Sequence, residues 1–148
     1  MDDLWTSAQA TVEQAIGGLG VKAETIRSES DGQLTYSLMR GSALTLVSLR
    51  KHEEDVLLRV ACPVMTLPPE DKRPGLFERL LELNAGAVMG GAAFALAGGR
   101  VVALSERPAR GLDESEATHL IRRTSAVADT FDDRLVREFG GERASGKA

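Results

Sequence analysis

Apolar residues recur at helical spacing from Asp3 to Ile16, where Leu4, Ala8, Val12, Ala15 and Ile16 share one face with Trp5 beside it. Gly17 suits the C-cap of that helix, with Gly18 and Gly20 just beyond. The period then changes to two. Val21 to Ser28 predicts a weak edge strand, and Ser30-Asp31-Gly32 a turn. From Gln33 to Met39 the chain alternates, with Leu34, Tyr36 and Leu38 on one side and Gln33, Thr35 and Ser37 on the other. Ala43 to Arg50 begins with Leu44 and Leu46 in phase and then shifts to Val47 and Leu49, the pattern of a bulge or of a strand covered on both faces. After the charged turn His52 to Asp55, Val56, Leu58, Val60 and Cys62 form a second apolar face. Connections this short predict an antiparallel meander, because a parallel crossover needs a dozen or more residues.

Pro63 to Pro74 reads as a loop, with Pro74 placed to begin a helix that runs through Leu76, Phe77, Leu80, Leu81 and Asn84 to about Ala87. Ala92 to Ala97 and Arg100 to Glu106 read as a hairpin turning at Gly98-Gly99. That turn sets Phe94 and Leu96 with Val101 and Ala103 on one face, and Ala93, Ala95 and Ala97 with Val102 and Leu104 on the other. Both faces are apolar, whereas a half-exposed hairpin alternates apolar with polar. Asp113 and Glu116 have capping-box spacing. A stripe through Ala117, Leu120, Ile121, Thr124, Val127, Ala128, Phe131, Leu135 and Phe139 then predicts a long amphipathic helix ending at Gly140-Gly141. The order α-ββββ-α-ββ-α gives an α+β class, a single antiparallel sheet with helices packed on it. Residues 1–140 form one domain in this reading, and 141–148 a disordered tail.

Composition narrows the function. With a net charge of −4 and 4% aromatics in 148 residues, neither a general phosphate-binding surface nor a base-stacking platform is expected, so no direct nucleic-acid binding is foreseen. Cys62 is the single cysteine, which excludes an internal disulfide and fits a reducing compartment. The acidic start Met1-Asp2-Asp3 does not resemble a secretory signal, and a cytoplasmic protein is the expectation. Gly86-x-x-x-Gly90 matches a membrane-dimer spacing, but the uncharged run around it is short, 17 residues that include five glycines and an asparagine, where a spanning helix needs about 20 apolar residues, and no membrane association is expected.

The chemistry-bearing residues are dispersed. His52-Glu53-Glu54-Asp55-Val56 begins like a zinc-protease motif but has Val where the second His belongs. His119 has no carboxylate at a persuasive spacing, and Cys62 closes an apolar strand face without a positive neighbour to stabilise a thiolate. Asp129, Asp132 and Asp133 read as a solvated helix face paired with Arg122, Arg134 and Arg137. No catalytic residue, metal site or cofactor is assigned, and the protein is not expected to be an enzyme.

The segment from Leu76 to Phe131, with its helix ending in Leu80-Leu81-Glu82-Leu83-Asn84, its hairpin and its Leu112-Asp113-Glu114 helix start, resembles the second half of a YbjN-like domain, also described as type III secretion chaperone-like. The resemblance implies helices on one side of an antiparallel sheet, a homodimer, and binding of a protein partner rather than catalysis. A dimer interface is expected from the doubly apolar region, at Leu80, Asn84, Val88, Ala93, Ala95, Ala97, Val102 and Leu104. A partner is expected on the meander and its edge, at Val21, Ala23, Thr25, Leu57 and Arg59. The alternative is a small-molecule sensor of profilin-like or roadblock-like topology, with a pocket between the sheet and the last helix.

Overall fold

The computed structural model describes residues 2–144. Helix α1 (Asp2–Gly18) leads into strands β1 (Arg27–Ser30), β2 (Gln33–Arg40), β3 (Ala43–His52) and β4 (Asp55–Thr66). Helix α2 (Arg73–Asn84), the hairpin β5 (Ala93–Ala97) and β6 (Arg100–Pro108), and helix α3 (Glu114–Phe139) complete the chain. All strands join one six-stranded antiparallel sheet in the order β1-β2-β3-β4-β6-β5. The α+β class and the element order α-ββββ-α-ββ-α are those the hydrophobic pattern predicts.

The three helices lie on the same side of the sheet. Their apolar stripes meet the strand residues of one phase in two adjoining clusters. In the first, Val12 and Ile16 of α1 and Ile121 of α3 pack on Tyr36, Val47, Leu49 and Leu58. In the second, Leu76 and Leu80 of α2 and Phe131 and Leu135 of α3 pack on Cys62, Phe94 and Val101. Phe94 and Phe131 meet edge to face, with ring centroids 5.6 Å apart. Asp113 caps α3 as its spacing predicts, accepting a hydrogen bond from the Glu116 N–H at 2.8 Å. Where Ser105 and Thr124 enter this layer their hydroxyls bond each other at 2.8 Å, which removes the cost of burying them.

The structure departs from the sequence reading at several points. The segment from Val21 is not strand: Ala23–Thr25 is a 3-10 turn, and the edge strand begins at Arg27. Ala23 is buried and Val21 and Ile26 are half-buried against the first cluster, so core packing takes residues that an edge strand would have exposed. The phase change in β3 is no bulge, since its register against β2 runs unbroken from Ala43 to Arg50. The register shift lies in β4 between Pro63 and Met65. Pro63 cannot donate to a ladder, and a bulge is where a central strand tolerates it. The strand therefore passes through Pro63 to Thr66 instead of yielding to a loop there. Helix α2 ends at Asn84, and Ala87–Met89 forms a separate 3-10 turn. Of the stretch read as a tail, Glu142 to Ala144 lies along the end of β4, with Thr66 N–H bonded to Glu142 O and Ala144 N–H to Val64 O. Residues 145–148 lie outside the described residues.

Because Phe131 fills the junction of α3 with the hairpin and is 5% exposed, Phe131→Ala should destabilise the protein by about 3–5 kcal/mol. Equilibrium denaturation in urea measures this as a lower midpoint at an unchanged slope.

Candidate functional site

The strand residues of the opposite phase have no helix over them. Across the sheet this uncovered face carries Gln33, Thr35, Ser37 and Met39 on β2, then Leu44, Leu46, Ser48 and Arg50 on β3. It continues with Leu57, Arg59, Ala61 and Pro63 on β4, Val102, Leu104 and Glu106 on β6, and Ala93, Ala95 and Ala97 on β5. The face is polar at β1 and β2 and apolar from the start of β3 to β5. A charged strip crosses one end of it: Glu106 accepts a hydrogen bond from Arg59 at 2.7 Å, with the Arg50 guanidinium 3.9 Å away. These groups are partly solvated, so the strip contributes orientation more than stability.

The two sheet edges differ. β1 has four residues, all exposed, and its register places the backbone groups of Arg27 and Glu29 outward. It is tied to α1 through Glu13, which receives the Arg27 guanidinium at 2.8 Å and the Tyr36 hydroxyl at 2.5 Å. Burial pushes the Glu13 carboxyl up, but the hydrogen bonds from Tyr36, Gln9 and Arg27 outweigh it and hold the group below the ordinary glutamate value. Burial and the neighbouring Glu13 push the Tyr36 hydroxyl far up, so it stays a donor. At the opposite edge the side-chain amide of Asn84 bonds both backbone groups of Phe94, accepting its N–H at 2.7 Å and donating to its carbonyl at 3.1 Å.

The residues singled out from the sequence divide accordingly. Ala93, Ala95, Ala97, Val102 and Leu104, expected at a dimer interface, and Leu57 and Arg59, expected to meet a partner, share one continuous face. Leu80 is in the core at 5% exposure, Ala23 is likewise buried, and Val102 shares the uncovered face but is itself only 7% exposed. Val21 and Thr25 precede the edge strand instead of forming it. Asn84 is engaged within the chain, while Val88 is exposed. Sequence reasoning missed Leu44, Leu46 and Ala61 on the uncovered face, where Pro63 shares their phase but is buried. The signal was present in the doubly apolar phase of Ala43 to Leu49, the same signal that marked the hairpin. It also passed over Leu81 and Leu96, which with Met39 and Val88 are the large apolar side chains most open to solvent among the described residues.

The reactive residue types do not converge. His52 closes the β3–β4 turn and His119 sits exposed on the outer side of α3. Cys62 is buried beside Thr45, and burial pushes its thiol up to about 11. Of the aspartates of α3, Asp129 and Asp133 are exposed as expected and Asp132 is buried, and their partners are Ser42 and Arg143 instead of Arg122, Arg134 and Arg137. Asp129 accepts the Ser42 N–H at 2.8 Å, and Asp132 is buried with the Ser42 hydroxyl at 2.6 Å. The Ser42 hydrogen bonds hold the Asp129 carboxyl below its usual range. Arg143 supplies the ion pairs to Asp132 and Asp133. Asp129 and Asp132 thus clamp the β2–β3 turn onto α3, where Gly41 at φ 61° leaves room that a Cβ would take from the Asp129 carboxylate. Among the described residues no group of three or more His, Cys, Asp or Glu is placed to hold a metal, and no helix is long and apolar enough to cross a membrane. The space between the sheet and α3, where a sensor would need its pocket, is filled by the two clusters.

Over residues 6–147 the sequence matches the family described as T3SS (YopN, CesT) and YbjN peptide-binding chaperone 1. A search of curated proteins finds no match. Among solved structures, a chain of the ExsC–ExsE complex is 18% identical with a TM-score of 0.63, covering 88% of this chain and 94% of that one. A chain of the heterodimeric ExoU–SpcU complex from the type III secretion system of Pseudomonas aeruginosa is 19% identical with a TM-score of 0.54, covering 86% and 96%. At such identities the likeness is one of fold.

Since Glu13 is held below the ordinary glutamate value of about 4.3, its contribution to stability is fully present above that pH and is lost as pH falls through its folded value. Wild type should therefore exceed Glu13→Gln in stability at pH 7. The gap should close on acidification below about pH 4. Denaturant midpoints of the two proteins at both pH values measure it, and a gap independent of pH would contradict the assignment.

Proposed function

The chain belongs to the T3SS (YopN, CesT) and YbjN peptide-binding chaperone 1 family, and from that premise we propose a homodimeric, cytoplasmic, non-enzymatic chaperone that holds one protein partner by an extended segment. The observation that carries this reading is the uncovered sheet face, apolar over four of its strands and backed by a fully packed helix layer. A monomer seldom leaves so contiguous an apolar surface to water. The partner's segment lies across Leu44, Leu46, Leu57 and Ala61, with Arg59, Arg50 and Glu106 setting its polar register. The outward backbone groups of Arg27 and Glu29 offer the β1 edge for strand pairing. The similar structures are those of complexes, which supports a protein as the ligand.

The second copy takes the other end of the face. Leu81 on α2, Val88 on the 3-10 turn after it and Leu96 on β5 are 70%, 49% and 52% exposed, with Leu96 in the helix-side phase of Phe94 and so bordering the uncovered face instead of lying on it. Ala93, Ala95 and Ala97 permit close approach beside Leu104, while Val102, at 7% exposure, is already buried. Burying these residues against their own symmetry mates makes a self-complementary contact.

Affinity capture from the source cells, read by mass spectrometry, tests the partner site. Wild type should retain one or two proteins that Leu57→Glu loses while keeping its fold. Light scattering at micromolar concentration tests the dimer. Wild type should have twice the chain mass, and Ala95→Glu should be a monomer, because a carboxylate there would be buried without a partner. A monomeric wild type, or a normal Ala95→Glu dimer, contradicts the interface.

A further inference from the structure

β5 is an edge strand with none of the usual protections. Its sequence Ala-Phe-Ala-Leu-Ala contains no charge and no proline, and its pairing with β6 contains no bulge. Such an edge is a template for further strands. Its backbone, however, is already in use. A residue in an antiparallel ladder directs both its N–H and its carbonyl to the same side. Asn84 bonds both groups of Phe94, so the Phe94 backbone points away from β6, toward the place a seventh strand would occupy. One step earlier, the Ala92 N–H is bonded to Met89 O at 3.0 Å. That leaves Leu96 as the one remaining outward position of β5, at the tip of the hairpin, and a single residue does not hold a strand.

We propose that Asn84 is an edge plug: its side-chain amide stands in for one residue of a neighbouring strand and closes β5 to strand addition. A primary amide carries one acceptor and two donors at the spacing of a peptide group, which is why it can satisfy both groups at once. The place of Asn84 at the end of α2, immediately before the chain turns back to β5, supplies the geometry. Two consequences rest on the chaperone reading. The second copy meets this end of the molecule through side chains, and the two sheets do not fuse edge to edge. Of the two edge strands among the described residues, only β1 then offers an extended partner segment two alternate outward residues, Arg27 and Glu29, so strand addition is directed to that edge.

The test reads the plug apart from any partner. In amide hydrogen exchange on the full chain, Asn84→Ala should raise the exchange rate of the Phe94 N–H by about tenfold or more, the effect of losing one hydrogen bond. Asn84→Asp keeps the acceptor but loses the donor and sets a carboxylate oxygen against the Phe94 carbonyl, so its Phe94 exchange should fall between those of wild type and Asn84→Ala. Asn84→Ala should also assemble, with rising concentration, to masses above that of wild type. Adding Leu96→Pro, which removes the last outward donor of β5, should return it to the wild-type mass. Phe94 exchange unchanged from wild type in Asn84→Ala or in Asn84→Asp, or assembly that Leu96→Pro leaves intact, would each overturn the proposal. Should Asn84→Ala fail to fold, the Asn84→Asp comparison still decides. Failure of the partner reading would change none of these readouts.

Discussion

Helix α3 is the element that both halves of the core share. Its stripe begins against α1 and the meander at Ala117 and Ile121, and ends against α2 and the hairpin at Phe131 and Leu135. A single helix of 26 residues thus spans the sheet on one side, with α1 and α2 packed beside it. That arrangement fixes where apolar surface is buried and also where it is not. Once all three helices lie on one side, the second phase of every strand is left to water or to another molecule. The uncovered face follows from where α3 packs.

The same constraint explains the polar devices. A sheet held from one side must be pinned at its margins. Ser42 at the β2–β3 turn is gripped by Asp129 and Asp132 of α3, Arg27 of β1 by Glu13 of α1, and Phe94 of β5 by Asn84 of α2. Each helix therefore fixes one margin of the sheet with a side chain. These contacts set the shape of the uncovered face and decide which backbone edge is open.

Much of this was legible in the sequence. The period of two in Gln33 to Met39, the Gly98-Gly99 turn with its register, and the Asp113 cap all stand as the residue pattern predicts. The doubly apolar hairpin pointed to an exposed apolar surface, and the same reasoning applied to Ala43 to Leu49 would have extended that surface to Leu44 and Leu46. What was not legible depended on tertiary contacts. Val21 to Thr25 has the residues of an edge strand but is drawn into the core. Leu80 sits in the stripe of α2 that faces the sheet, and periodicity alone cannot tell that stripe from an interface. The roles of Asn84 and of the α3 aspartates arise between residues ten or more apart in the chain, where no local pattern announces them.

The central claim is that the uncovered face, and not the helix layer, receives the partner. Site-specific photocrosslinking in the source cells tests it most directly, with the photoreactive residue placed at Leu46 or Ala61 on the sheet and at Ala126 on the outer side of α3. The account predicts a discrete adduct with a second protein from both sheet positions and none from Ala126. Adducts from Ala126 alone would contradict it and move the binding surface to the helices.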